Sequence, residues 1–279
     1  KTNPNHFEAI FFLGTLSAQF KKFDMAKQLL NKAIKIQPNY VHSYINLGNV
    51  LNELREHQKA ISCYEKAIQI NPNLLPAYDN LGIVFKEIGE HQKAISCYEN
   101  AIQINPNYAA AYNNLGLLFG KLKEFKKAQN CCENAIKINP NYAAAHYNLG
   151  LIFLESGEHQ KGIRCYQKAI KIQPNHINAH NNLGISFQEL GEFKKAISCY
   201  QKALKYESGN LTYLYQLSGL KKEILDSKLK NKINKIMKGD NCTKKNLAYG
   251  NFLLAKYELD KKNYKKIFNY LIKGHQCYF

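Results

Sequence analysis

The sequence has no run of apolar residues approaching the roughly 18 needed to cross a membrane as a helix, so the expectation is a soluble chain. Its eight cysteines include no Cys-x-x-Cys pair. Acids are scarce, with 21 Asp and Glu against 39 Lys and Arg, a formal net charge of +18. A phosphate loop is also missing: the glycine-lysine run over Gly116, Gly120 and Lys121 is one residue too short, lacks the following Ser or Thr, and falls inside a predicted helix. Asn210-Leu211-Thr212 and Asn241-Cys242-Thr243 match the glycosylation pattern by chance if the chain is cytoplasmic. The first residue is Lys1 rather than methionine, so a piece of a longer protein is expected.

What the sequence has is a period. Tyr44, Leu47, Gly48, Ala60, Tyr64, Ala67 and Pro72 return 34 residues later as Tyr78, Leu81, Gly82, Ala94, Tyr98, Ala101 and Pro106, then twice more with small changes. A fixed period of this length marks stacked supersecondary units, none of which can bury its apolar face alone. Six units are read within 1–210, at 7–40, 41–74, 75–108, 109–142, 143–176 and 177–210. Within 41–74, Tyr44, Leu47, Gly48 and Leu51 follow one helical face, and Ala60, Ile61, Tyr64, Ala67 and Ile68 follow a second. The two stretches meet at Arg55-Glu56, where other units carry Gly89-Glu90, Gly157-Glu158 and Gly191-Glu192, a place for one helix to end and the next to start. Each hairpin but the last closes on a proline such as Pro72, which disfavours helix in the residue before it.

These residues resemble the tetratricopeptide repeat family, whose unit carries apolar or small residues at positions 4, 7, 8, 11, 20, 24 and 27 and proline at 32. The resemblance covers residues 7–210 and is weakest at the ends, where Phe12 replaces asparagine and Ser208 replaces proline. It implies an all-α fold, a right-handed superhelical solenoid of antiparallel helix hairpins. Glycines 48, 82, 116, 150 and 184 at position 8, and alanines 60, 94, 128 and 196 at position 20, are expected to let the two helices of a hairpin approach closely.

Position 6 is different. Asn46, Asn80, Asn114, Asn148 and Asn182 recur one residue before the core leucine, hence about 100° around the helix from it, on a stripe expected to face away from the core. In the family this first-helix face lines the concave groove, and the row looks like the asparagine ladder of O-GlcNAc transferase repeats, which holds an extended polypeptide. A carboxamide both donates and accepts, so it can grip a peptide backbone without reading side chains. The candidate peptide-binding set adds Asp79, Asn113, Tyr147 and Asn181 at position 5, beside Ile83, Leu117, Leu151 and Ile185 at position 9. The alternative is a solvated polar groove, or asparagines inherited by duplication. Position 2 reads His42, Pro76, Ala110, Ala144 and Asn178, which lacks the cations that would clamp a C-terminal carboxylate.

Cys63, Cys97, Cys131, Cys165 and Cys199 share one repeat position, so each lies a helix-packing distance from the next, too far for a disulfide. Free thiols and a cytoplasmic location follow as expectations. His57, His91 and His159 alternate with Phe23, Phe125 and Phe193, which reads as a packed ring, and His176 with His180 has no third ligand nearby for zinc. No catalytic residue, cofactor or metal is predicted.

Residues 205–279 hold 16 lysines against 6 acids, and lysines 59, 93, 127, 161 and 195 fall on second helices, hence on the outer face. After residue 210 the period is lost. Leu211, Leu214, Leu217, Leu220 and Ile224 form one stripe, and Leu229, Ile233, Ile236 and Met237 a second. A final hairpin, Leu247 to Leu259 and then Tyr264, Ile267, Phe268, Leu271 and Ile272, makes 211–279 a helical cap with a degenerate repeat. Tyr249 to Lys256, Asn263-Tyr264, Phe268 to Tyr270 and Lys273 to His275 are similar to the segment that links repeats to the catalytic domain in bacterial repeat-containing sulfotransferases. The expected function is a non-catalytic scaffold with a protein or peptide partner in the groove. The alternatives are the substrate-recruiting part of a larger sulfotransferase or, failing that, of a glycosyltransferase, and a basic surface for nucleic acid or membrane.

Overall fold

A computed structural model describes residues 6–220, 225–239, 242–259 and 261–278. Ile224 of the first C-terminal stripe and Asn241 of the second glycosylation match lie outside the described residues. The described residues are all-α and contain no strand. They form two compact units, 1–152 and 153–279.

The first unit holds four hairpins: α1 (Phe7–Gln19) with α2 (Phe23–Ile36), α3 (Val41–Glu53) with α4 (His57–Ile70), α5 (Leu75–Glu87) with α6 (His91–Ile104), and α7 (Ala109–Lys121) with α8 (Phe125–Ile138). It also takes most of α9 (Ala143–Glu155). The second unit continues with α10 (His159–Ile172), the hairpin α11 (Ile177–Glu189) and α12 (Phe193–Tyr206), then α13 (Leu211–Leu220), α14 (Ser227–Met237), α15 (Lys244–Leu259) and α16 (Tyr264–Tyr278). The helix pairs fall within the 34-residue units read from the sequence.

Each hairpin turns at the fifteenth residue of its unit, which takes the left-handed conformation whatever its type. Lys21, Arg55 and Lys123 do so at φ 57°, 61° and 61°, and Gly89, Gly157 and Gly191 at 87°, 83° and 73°. The next amide then bonds back across the turn, as Glu56 N–H to the Leu51 carbonyl at 2.8 Å, and so closes the helix end. After α4, α6 and α8 the asparagine before proline accepts from the amide two residues on, as Asn73 N–H to Asn71 Oδ1 at 3.1 Å, which stops one helix before the next begins.

The core of a hairpin is one contact repeated. A Cβ on Gly48 would lie 2.6 Å from the Tyr64 ring, one on Gly82 2.6 Å from Tyr98, and one on Gly184 2.7 Å from Tyr200. In the fourth hairpin Cys132 takes the place of the tyrosine, 2.7 Å from the same point on Gly116. Ala60, Ala94, Ala128 and Ala196 are wholly buried, so a larger side chain there has nowhere to go.

In the second unit α13 packs on α12, and Leu211, Ile233, Leu253 and Leu254 form a core to which Leu229, Ile236 and Met237 add. Lys230 pairs with the buried Glu258 at 2.7 Å. The turn between α15 and α16 repeats the earlier geometry, with Lys262 at φ 55° and Asn263 N–H bonded to the Glu258 carbonyl at 3.1 Å. One expectation is corrected here. Tyr264, Phe268, Leu271 and Ile272 do not face α15 but solvent, Tyr264 and Phe268 being 71% and 66% exposed. The packed face runs through Ile267, Tyr270 and Gly274, because a Cβ on Gly274 would lie 2.4 Å from the Phe252 ring and only glycine admits that approach.

Candidate functional site

In the first unit the first helices α1, α3, α5 and α7 neighbour one another in order, and their position-6 asparagines tie each to the one before. Asn46 Nδ2 donates to Thr15 Oγ1 at 2.9 Å and Asn80 Nδ2 to Asn49 Oδ1 at 3.0 Å. Asn114 Nδ2 donates to Asp79 Oδ1 at 2.7 Å, and Asn148 Nδ2 to Asn113 Oδ1 at 2.9 Å.

The acceptor follows from one neighbouring position. Thr15 and Asn49 stand at position 9 of their units and accept there. Ile83 and Leu117 occupy that place in the next two units and have no acceptor, so the bond moves one turn back to position 5, to Asp79 and Asn113. Asn49 Oδ1 also accepts from the Tyr64 hydroxyl at 2.7 Å. Tyr98, whose unit has Ile83 instead, is left with a buried hydroxyl that has no partner among the described residues.

The candidate residues are therefore not equivalent. Asn46, Asn80, Asn114 and Asp79 are half-buried, whereas Asn113 and Asn148 are 5% and 7% exposed, which departs from the expectation of a stripe clear of the packing. Tyr147 is half-buried. In the second unit Asn181 Nδ2 donates to Asn182 Oδ1 at 3.2 Å, and both are half-buried. A depression of about 470 Å³ lies between the first helices of the first unit, lined by Thr15, Gln19, Asn46, Asn49, Asn80 and Ile83. Sequence reasoning missed Thr15 and Asn49; the change at position 9 from polar in the first two repeats to apolar in the later ones was the available signal.

Burial pushes the Asp79 carboxyl above its usual range, its bond from Asn114 and the Lys86 charge opposing that. The same burial raises the Tyr108 phenol to about 12, with the Asp79 charge adding to it. Thiols at the shared repeat position are inert by the same cause: Cys63, Cys131 and Cys199 are pushed up to about 11 and Cys97 to about 12, so little thiolate exists at neutral pH.

The lysines of the second helices are patterned rather than simply basic. Lys59 and Lys127 each pair with the glutamate three residues earlier at 2.6 Å, Lys93 with Glu90 at 3.5 Å, and Lys161 and Lys195 with Glu158 and Glu192. Lys127, Lys161 and Lys195 also lie 5.2 Å over the rings of Phe119, Phe153 and Phe187. The histidines serve local structure: His180 Nε2 lies 2.9 Å from the Pro174 carbonyl, and His176 Nδ1 accepts from Ala179 N–H at 3.2 Å, capping α11. Among the described residues no three His, Cys, Asp or Glu side chains are grouped to hold a metal, and no helix is long and apolar enough to cross a membrane.

Tandem hairpins with a glycine–tyrosine contact, a left-handed turn and a proline-closed linker define a tetratricopeptide-repeat protein. The family model of the cilia and flagella-associated protein 70 C-terminal domain matches residues 5–224, and the chain belongs to this family. Among curated proteins no match was found. Among solved structures, MamA is 30% identical over 58% of this chain and 95% of its own, with a TM-score of 0.50. MamA from Desulfovibrio magneticus RS-1 is 24% identical, covering 60% and 95%, with a TM-score of 0.51. PilF of Pseudomonas aeruginosa is 20% identical, covering 75% and 95%, with a TM-score of 0.62. The last two likenesses concern the fold alone.

Proposed function

We propose that this chain is a non-catalytic protein-interaction scaffold, and that the first-helix face of its first unit takes an extended segment of a partner polypeptide. The observation that carries this reading is the orientation of Asn46, Asn80 and Asn114. Each spends one amide hydrogen on the preceding first helix, so its rotamer is fixed before any ligand arrives. For Asn46 and Asn80 the second amide hydrogen and the carbonyl oxygen remain for a peptide backbone, and a held side chain loses little entropy on binding. Packed helices lie roughly 8–10 Å apart and an extended chain advances roughly 3.3 Å per residue, so one asparagine meets about every third peptide residue.

The test is isothermal titration of a peptide selected from a random 12-residue display library against the whole chain and against its Asn46→Ala/Asn80→Ala/Asn114→Ala variant. The reading expects a loss of affinity of about tenfold or more in a variant whose helical circular dichroism is intact. Unchanged affinity would refute it.

A further inference from the structure

We propose that Asp79 is a recognition point for a cationic side chain, a lysine or arginine carried by the polypeptide that lies on the first-helix face. This inference rests on the reading of that face given above and adds the chemistry of the segment it takes. Asp79 is half-buried and accepts one hydrogen bond, from Asn114 Nδ2 at 2.7 Å. No Lys, Arg or His nitrogen among the described residues comes within 4 Å of it, in a chain with 39 Lys and Arg. By contrast, the repeat glutamates Glu56, Glu90, Glu124, Glu158 and Glu192 all have a lysine partner. Lys86, two turns along α5, feels the Asp79 charge without pairing with it.

The surrounding dipoles point the same way. Asn148 donates to Asn113, Asn113 Nδ2 donates to Asn114 Oδ1 at 3.5 Å, and Asn114 donates to Asp79. The relay ends on a carboxylate whose other oxygen has no donor among the described residues, and a neutral amide alone is a weak counterpart for a half-buried charge. One turn away, the ring of Tyr98 lies against Gly82, and its buried hydroxyl has no partner there. Tyr108 and Tyr142 also feel the Asp79 charge. A half-buried carboxylate with one amide donor and no cation of its own suits an ammonium or guanidinium group supplied from outside. The chain carries a formal net charge of +18, so a preference for a base at this point runs against the overall field.

The test uses the same selected peptides. Asp79→Asn removes the charge and keeps an oxygen to accept from Asn114, and its fold is checked by thermal melting. The expected result is that the peptides share a lysine or arginine at one register. Replacing that residue by glutamine weakens binding about tenfold, or about 1.4 kcal/mol. Asp79→Asn weakens the parent peptide equally, and the two changes together cost no more than either. Peptides that lose affinity for the triple-asparagine variant yet carry no basic residue, or bind Asp79→Asn undiminished, overturn the assignment and leave the face reading intact. A library that yields no binding peptide overturns both.

Discussion

Adding one methyl group at Gly82 tests the packing rule on which the hairpins depend. Its Cβ would stand 2.6, 2.8 and 3.1 Å from Cε1, Cζ and Cδ1 of Tyr98, a side chain with no exposed surface. Real Cβ contacts do not approach so closely, so the ring or helix α5 has to move, at a cost of about 1–3 kcal/mol for overpacking. Alanine is favoured over glycine within a helix by about 0.5–1 kcal/mol, which offsets part of this. The net expectation for Gly82→Ala is a loss of up to about 2.5 kcal/mol, with a midpoint of about 1 kcal/mol. Gly120→Ala is the control: its Cβ meets only Ile152, at 3.4 Å, so the propensity gain leaves it neutral or stabilised. Both are read as urea midpoints followed by circular dichroism, and Gly82→Ala combined with Tyr98→Leu should couple favourably, as the natural Gly14–Leu30 pair suggests. If Gly82→Ala is as stable as Gly120→Ala, the contact does not set the hairpin spacing and the reasoning fails.

Further outcomes follow from the turns and from Asp79. Lys21→Gly, Arg55→Gly and Lys123→Gly should each stabilise by about 0.5–1 kcal/mol, because a left-handed residue with a side chain is replaced by one without; Gly157→Lys should lose a similar amount, and equal midpoints across the set would contradict this. Asp79 has a carboxyl raised by burial, so its contribution to stability is present below the unfolded pKa of about 3.9 and is lost as pH rises through the folded value. Asp79→Asn should therefore be more stable than the parent at pH 7, with the difference shrinking toward pH 3; a difference independent of pH would show that the charge is not strained.

The fold is legible because its determinants are local and repeated: the glycine, alanine and proline positions each mark a steric necessity, and they recur at one spacing. The end of the chain is harder to read. In α16 the apolar stripe through Tyr264 and Phe268 is stronger in the sequence than the true packing face, which a single residue, Gly274, decides by its fit to Phe252. The candidate site is legible as a row of asparagines but not as a network. Periodicity places Asn80 and Asn114 alike, yet Asn80 donates to position 9 of the preceding unit and Asn114 to position 5, because the partner depends on whether position 9 of that unit is polar, as Asn49, or apolar, as Ile83. The lysines at the shared second-helix position read as a basic surface, while pairing with glutamates three residues earlier neutralises much of it.

The most direct measurement of the central claim is site-specific photocrosslinking of a selected peptide to benzoylphenylalanine placed either at Ile83, on the first-helix face, or at Ser96, exposed on α6. The account predicts crosslinks from residue 83 that free peptide competes away, and none from residue 96. Crosslinks from residue 96 alone would place the ligand on the second helices and contradict it.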